Sequence, residues 1–193
     1  MRRKSINITK IIAIIMLSVI MNTATPVSCL CQSTLNLDTT DKVLLIDDIS
    51  WKWLPEQERF EYMLKFVPQI NTALGVPETT FPTANIHMMS PTDPSYTKAC
   101  GYTDYGTGQV YINMKKINEE AAGGWAAIYA LAHEMRHLYQ NKYNTIAYNP
   151  QSTIYNMAVY ASDPREKDAN NFAYNFTTYI LNNVGVQKIG DKL

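Results

Sequence analysis

The sequence predicts an α+β fold, with a small antiparallel or mixed sheet packed on one long helix over 124–142 and on a C-terminal helix from 164. Three observations carry that reading. Two short alternating runs, 100–104 and 109–113, flank Tyr105-Gly106-Thr107-Gly108, and glycines there supply the positive φ a hairpin turn needs. Ile128, Leu131, Met135 and Leu138 recur at helical spacing, with Tyr129, His133 and His137 forming a second line four residues apart. Asp163-Pro164 is a helix start, the acid suiting the N-cap and the proline the first turn.

From the N-terminus, residues 1–10 are basic and polar, 11–21 are apolar, and 22–28 are small and polar with Pro26. This three-part layout predicts a secretory signal peptide over 1–28, cut somewhere between 24 and 31, ahead of a single domain over 32–193. Eleven apolar residues fall short of the roughly 20 that a stable transmembrane anchor needs. Cys29 offers a lipidation alternative, though Pro26-Val27-Ser28 matches the usual leucine-led motif poorly. In an exported chain Cys31 and Cys100 are able to form a disulfide, a pairing the sequence leaves open. Residues 32–50 read as loop with a short apolar run at 43–46. Pro55 followed by Glu56, Glu58 and Glu61 opens a helix whose Phe60, Met63, Leu64 and Val67 face a core shared with Trp51 and Trp53. That helix breaks or kinks at Pro68 and ends at Gly75. Residues 84–89 read as a strand, on which His87 is a structural histidine. The segment 143–162 carries one short helix near 154–160, and the C-terminal helix stops near Gly185.

Composition narrows the function. Lys+Arg and Asp+Glu both number 17 among 193 residues. Four of the basic groups, Arg2, Arg3, Lys4 and Lys10, lie in the first ten residues, which leaves 13 against 17 acidic groups, a net of −4. Such a chain has no clustered cations to neutralise phosphates, which argues against nucleic-acid binding.

His133-Glu134-Met135-Arg136-His137 matches H-E-x-x-H. Residues four apart share one helix face, so both imidazoles can reach a single Zn²⁺, while the intervening Glu is rotated toward the water a zinc ion would activate. With only three histidines in the chain, accident gives that pattern about 0.1% of the time, so it is read as a metal site. A third ligand is still required. No histidine follows His137, and the acids after it are Asp163, Glu166, Asp168 and Asp191. Glu166 and Asp168 lie about 200° apart on a helix, so they cannot both face one ion.

H-E-x-x-H followed some thirty residues later by Glu166-Lys167-Asp168-Ala169-Asn170-Asn171-Phe172-Ala173 resembles the zincin metallopeptidases whose third ligand is glutamate. The run is especially similar to small ImmA/IrrE-type peptidases, over roughly residues 100–176. The resemblance implies a zincin-like fold, Glu166 as the third zinc ligand, and close approach of two helices at Ala169 and Ala173. It implies that the strand 109–113 flanks the cleft and pairs with an extended peptide. Two positions depart from the pattern: Asn170 stands where many relatives carry an Asp bonded to a ligand histidine, and Arg136 where many have Gly. The expected function is an exported zinc-dependent metallopeptidase, with one Zn²⁺ on His133, His137 and Glu166 and with Glu134 as general base toward a zinc-activated water. Tyr143, Tyr148, Tyr155 and Tyr160 are candidate oxyanion donors. Two alternatives keep the zinc: hydrolysis of a non-peptide amide, and a non-catalytic binding protein stabilised by the ion. Oligomeric state is not legible.

Overall fold

The computed structural model describes residues 42, 44–45, 47–120, 123–147, 149–152 and 157–183. The signal-peptide reading, Cys29, Cys31 and hence the Cys31–Cys100 pairing, Tyr148, Tyr155 and the stop at Gly185 lie outside these residues. The architecture is α+β with one three-stranded mixed sheet.

The helix over 48–53 was not legible as such. Asp47 accepts a hydrogen bond from the Ser50 backbone N–H at 2.9 Å and starts α1 (Asp48–Trp53) inside the stretch read as loop. Trp51 is fully buried, with its indole N–H donated to Asn118 Oδ1 at 2.8 Å. Trp53 is 83% exposed, against the expectation that both tryptophans are core. Two residues apart on a helix is about 200°, so only one of them can face inward. Pro55 is the N-cap of α2 (Glu56–Leu64). The chain breaks at Lys65-Phe66, and Pro68 falls in the first turn of α3 (Val67–Ala73), where its missing N–H costs nothing.

A short 3₁₀ turn over Thr83–Asn85 leads into β1 (Ile86–Met88), followed by β2 (Gly101–Asp104) and β3 (Gln109–Ile112). The sheet order is β1-β3-β2, with β1 parallel and β2 antiparallel to β3. This corrects one expectation: β3 is the central strand, paired on both sides, so it has no free edge for a peptide. The edge strands are β1 and β2, and β2 is the one that lies beside Glu134. Ile86, Val110 and Ile112 are buried beneath the helices. Then Asn113, whose side chain accepts from the Lys116 backbone N–H at 3.0 Å, caps α4 (Met114–Glu120), another helix the sequence reading passed over.

The long helix α5 (Gly124–Tyr143) is the hub of the core. Its predicted stripe, Ile128, Leu131, Met135 and Leu138, is buried against Met63 and Phe66, the sheet, and Phe176 and Ile180. It ends at Asn144, which takes the left-handed conformation at φ 49°. A short α6 (Met157–Ser162) precedes α7 (Pro164–Asn183). Asp163 Oδ1 accepts from the Arg165 N–H at 2.7 Å, so the predicted cap is the one observed. It places Glu166 in the first turn of α7, where the helix dipole favours an anion.

Helices α5 and α7 pack against each other, and Ala169 and Ala173 of α7 are both fully buried. A larger side chain at a fully buried alanine forces its neighbours apart. Ala169→Leu is therefore expected to lower stability by about 1–3 kcal/mol, read as a fall in the urea midpoint at unchanged slope. No helix among the described residues is long and apolar enough to cross a membrane.

Candidate metal centre

The i, i+4 spacing on α5 sets His133 and His137 side by side, and the cap of α7 delivers Glu166 to the same point. His133 Nε2 lies 3.3 Å from Glu166 Oε2, His137 Nε2 lies 3.3 Å from Glu166 Oε1, and the two Nε2 atoms are 3.0 Å apart. Zinc–nitrogen and zinc–oxygen bonds of about 2.0–2.1 Å put the ligand atoms of a tetrahedral site about 3.3–3.4 Å apart, close to this triangle. All three residues are nearly buried, at 8%, 3% and 9% exposure. Two imidazole lone pairs and a carboxylate gathered away from water repel one another unless a cation or a proton lies among them. Glu166 Oε2 is buried without a hydrogen-bond partner, a demand that a metal bond would satisfy. The group fits a metal ion, and it is the one His/Cys/Asp/Glu cluster of three or more among the described residues.

The electrostatics agree with the geometry. Burial alone would push Glu166 up, but the adjacent His133 and His137 imidazoles outweigh it and hold the carboxyl well below the usual range. Burial would push His137 down, but the Glu166 carboxylate and the nearby Glu134 outweigh it and raise its pKa. A metal ion at this point would compete with a proton for His137.

Glu134, 7% exposed, faces away from the ligand line toward β2. The Thr103 hydroxyl is 2.8 Å from Glu134 Oε2 and 2.9 Å from the Glu134 backbone carbonyl. It fixes one carboxylate oxygen and leaves the other for chemistry. Gly101 makes the space: a Cβ there would sit 3.1 Å from Glu134 Cγ and 3.0 Å from the Tyr111 carbonyl oxygen. Gly101→Ala is thus expected to strain this contact and lower stability by about 1–3 kcal/mol, read as a fall in the urea midpoint. Neither Thr103 nor Gly101 was legible, since both act across two elements that meet only in the fold.

Of the two tyrosine candidates among the described residues, Tyr143 and Tyr160, it is Tyr160 that reaches the centre. Burial, together with the Glu166 and Glu134 carboxylates and a hydrogen bond to Glu166, pushes its hydroxyl pKa far up, so it stays a proton donor. Tyr143 is 45% exposed at the far end of α5. Tyr105, in the hairpin turn, sets its ring edge-on to His137 at 6.3 Å between centroids. A groove of about 560 Å³ opens beside it, lined by Tyr102, Thr103, Asp104, Tyr105, Gly106 and Asn141.

The remaining predicted positions lie elsewhere. Asn170 Oδ1 accepts from the Tyr129 hydroxyl at 3.0 Å rather than meeting a ligand histidine. Asp168 faces Arg136, as its angular offset from Glu166 requires. His87 packs on Tyr111 at 5.4 Å, and its Nε2 is buried without a hydrogen-bond partner, so it is not the satisfied histidine expected. Cys100 donates its thiol to Glu120 Oε2 at 3.4 Å, and burial pushes its pKa up to about 12, which suppresses the nucleophilic thiolate.

Comparison with protein-family models, with curated proteins and with solved structures finds no match to this chain.

Proposed function

We propose that this chain is an exported zinc-dependent metallopeptidase of zincin-like fold, with His133, His137 and Glu166 as ligands and Glu134 as general base. The observation that carries the reading is the convergence of three buried ligand atoms with a separately anchored carboxylate one helical step away. When bound, zinc would supply Lewis-acid polarisation of the scissile carbonyl and bring the pKa of water from 15.7 toward roughly 7. Glu134 takes the proton from the attacking water and passes it to the departing amine. The Tyr160 O–H donates to the oxygen on which charge develops. The outer edge of β2 supplies backbone N–H and C=O groups to an extended peptide, which favours peptides over other amides as substrate. Among the described residues the cluster offers three protein ligands, which leaves a coordination position for water or substrate, the arrangement of catalytic rather than structural zinc sites.

Cleavage of a quenched-peptide mixture by the purified protein tests this. Hydrolysis should appear with zinc, vanish with chelator and return on zinc addition. Zinc binding without chelator-sensitive cleavage of any peptide would favour the binding-protein alternative. Tyr160→Phe is expected to lower kcat by about 10²-fold with little change in KM, measured on the best peptide found.

A further inference from the structure

One polar network behind the metal ligands has a direction that hydrogen-bond chemistry fixes. Gln140 is fully buried, three residues beyond His137. Its Nε2 lies 2.9 Å from the Arg165 carbonyl oxygen and 2.7 Å from Asp168 Oδ2, and both are acceptors. The amide NH₂ must therefore face them, so the carbonyl Oε1 is the atom 2.8 Å from His137 Nδ1. A carbonyl oxygen only accepts, so Nδ1 carries the hydrogen. The lone pair of the neutral imidazole then sits on Nε2, the atom that faces Glu166 and His133. Asp168 is itself held by Arg136, whose Nε and Nη2 reach its two oxygens at 2.8 and 3.1 Å. The guanidinium lies over Tyr139 and Phe172, 4.8 and 5.4 Å from their ring centroids. His133 has no such support, because its Nδ1 is buried without a hydrogen-bond partner.

We infer that Gln140 is a positioning residue that locks His137 in its metal-binding tautomer, with Asp168 and Arg136 holding the Gln140 amide in the orientation that does so. The inference rests on the metal-site reading above. It gives the two imidazoles unequal roles, His137 preset and His133 adaptable. It also explains two features the motif leaves over, an arginine at 136 and an acid at 168 that cannot reach the ion.

The test is zinc affinity, measured by competition with a chromophoric chelator, for the full chain and three variants. Gln140→Met keeps the side-chain volume and removes the acceptor. It is expected to weaken zinc roughly 10–100-fold and to abolish the slowly exchanging His137 Nδ1–H signal in ¹⁵N spectra of the zinc-loaded protein. Asp168→Ala leaves Gln140 in place but frees its amide to turn, with a loss of roughly threefold or more in the same direction. Asp168→Ala also serves if Gln140→Met does not fold. Tyr129→Phe removes a hydrogen bond from the same α5–α7 interface that does not reach a ligand, and should leave affinity within about twofold. Unchanged affinity in both Gln140→Met and Asp168→Ala, or an equal loss in Tyr129→Phe, overturns the inference while the metal site stands. A parent chain that binds no zinc overturns the metal site and this inference with it.

Discussion

Glu134→Gln is expected to lower peptide hydrolysis by roughly 10²–10⁴-fold while zinc remains bound in full. The amide has nearly the same shape, and Thr103 can still donate to its oxygen, so geometry is conserved. What disappears is the basic oxygen that accepts the proton from water. Glu134 is not a member of the ligand triangle, which is why metal content should not move. Zinc stoichiometry by elemental analysis, beside kcat on one peptide, separates the two effects. A Glu134→Gln variant that cleaves as fast as the parent would remove Glu134 from the chemistry.

Glu166→Ala is expected to abolish stable metal binding, with affinity down by roughly 10²-fold or more and activity lost with it. Carboxylate and imidazole bonds contribute jointly, and two neutral imidazoles on one helix remain a weak chelate. The same substitution should show a distinctive pH signature in the metal-free protein. His137, whose folded pKa is raised, adds stability that is complete below its unfolded pKa of 6.5 and is lost as pH rises through the folded value. Glu166, whose folded pKa is depressed, adds stability that is complete above 4.5 and is lost as pH falls through the folded value. Their attraction is greatest between those two limits. Urea denaturation with chelator present should show the largest destabilisation by Glu166→Ala at about pH 5.5, shrinking as pH rises through the raised His137 pKa.

How much of this was readable in the chain depends on the range of the interactions involved. H-E-x-x-H is a local statement, since helical periodicity alone puts His133 and His137 on one face and turns Glu134 aside. The Asp163-Pro164 cap is equally local, and it places Glu166 in the first turn of α7. The resemblance supplied the choice of Glu166 over the other acids, and the fold brings it within 3.3 Å of both imidazoles. What was illegible arises between elements. The resemblance put the peptide-pairing strand at 109–113, and a hairpin looks alike from either strand. Only the parallel pairing of β1 with β3, some two dozen residues apart, buries β3 in the middle and leaves β2 outside. Gly101 and Thr103 acquire meaning only because β2 lies against α5. Tyr160 is separated from Tyr143 by where α6 sits, not by any local pattern. The short helices α1 and α4 escaped because each depends on one capping side chain, Asp47 and Asn113, in segments with too few apolar residues to show a period.

The most direct measurement of the metal centre is zinc K-edge X-ray absorption on the full chain after zinc loading and dialysis. One tightly held ion per chain should be found, four-coordinate, with nitrogen and oxygen neighbours only at about 2.0–2.1 Å and the outer-shell scattering of two imidazoles. Loss of the ion on dialysis, or a sulfur neighbour at about 2.3 Å, would mean that His133, His137 and Glu166 do not hold the metal.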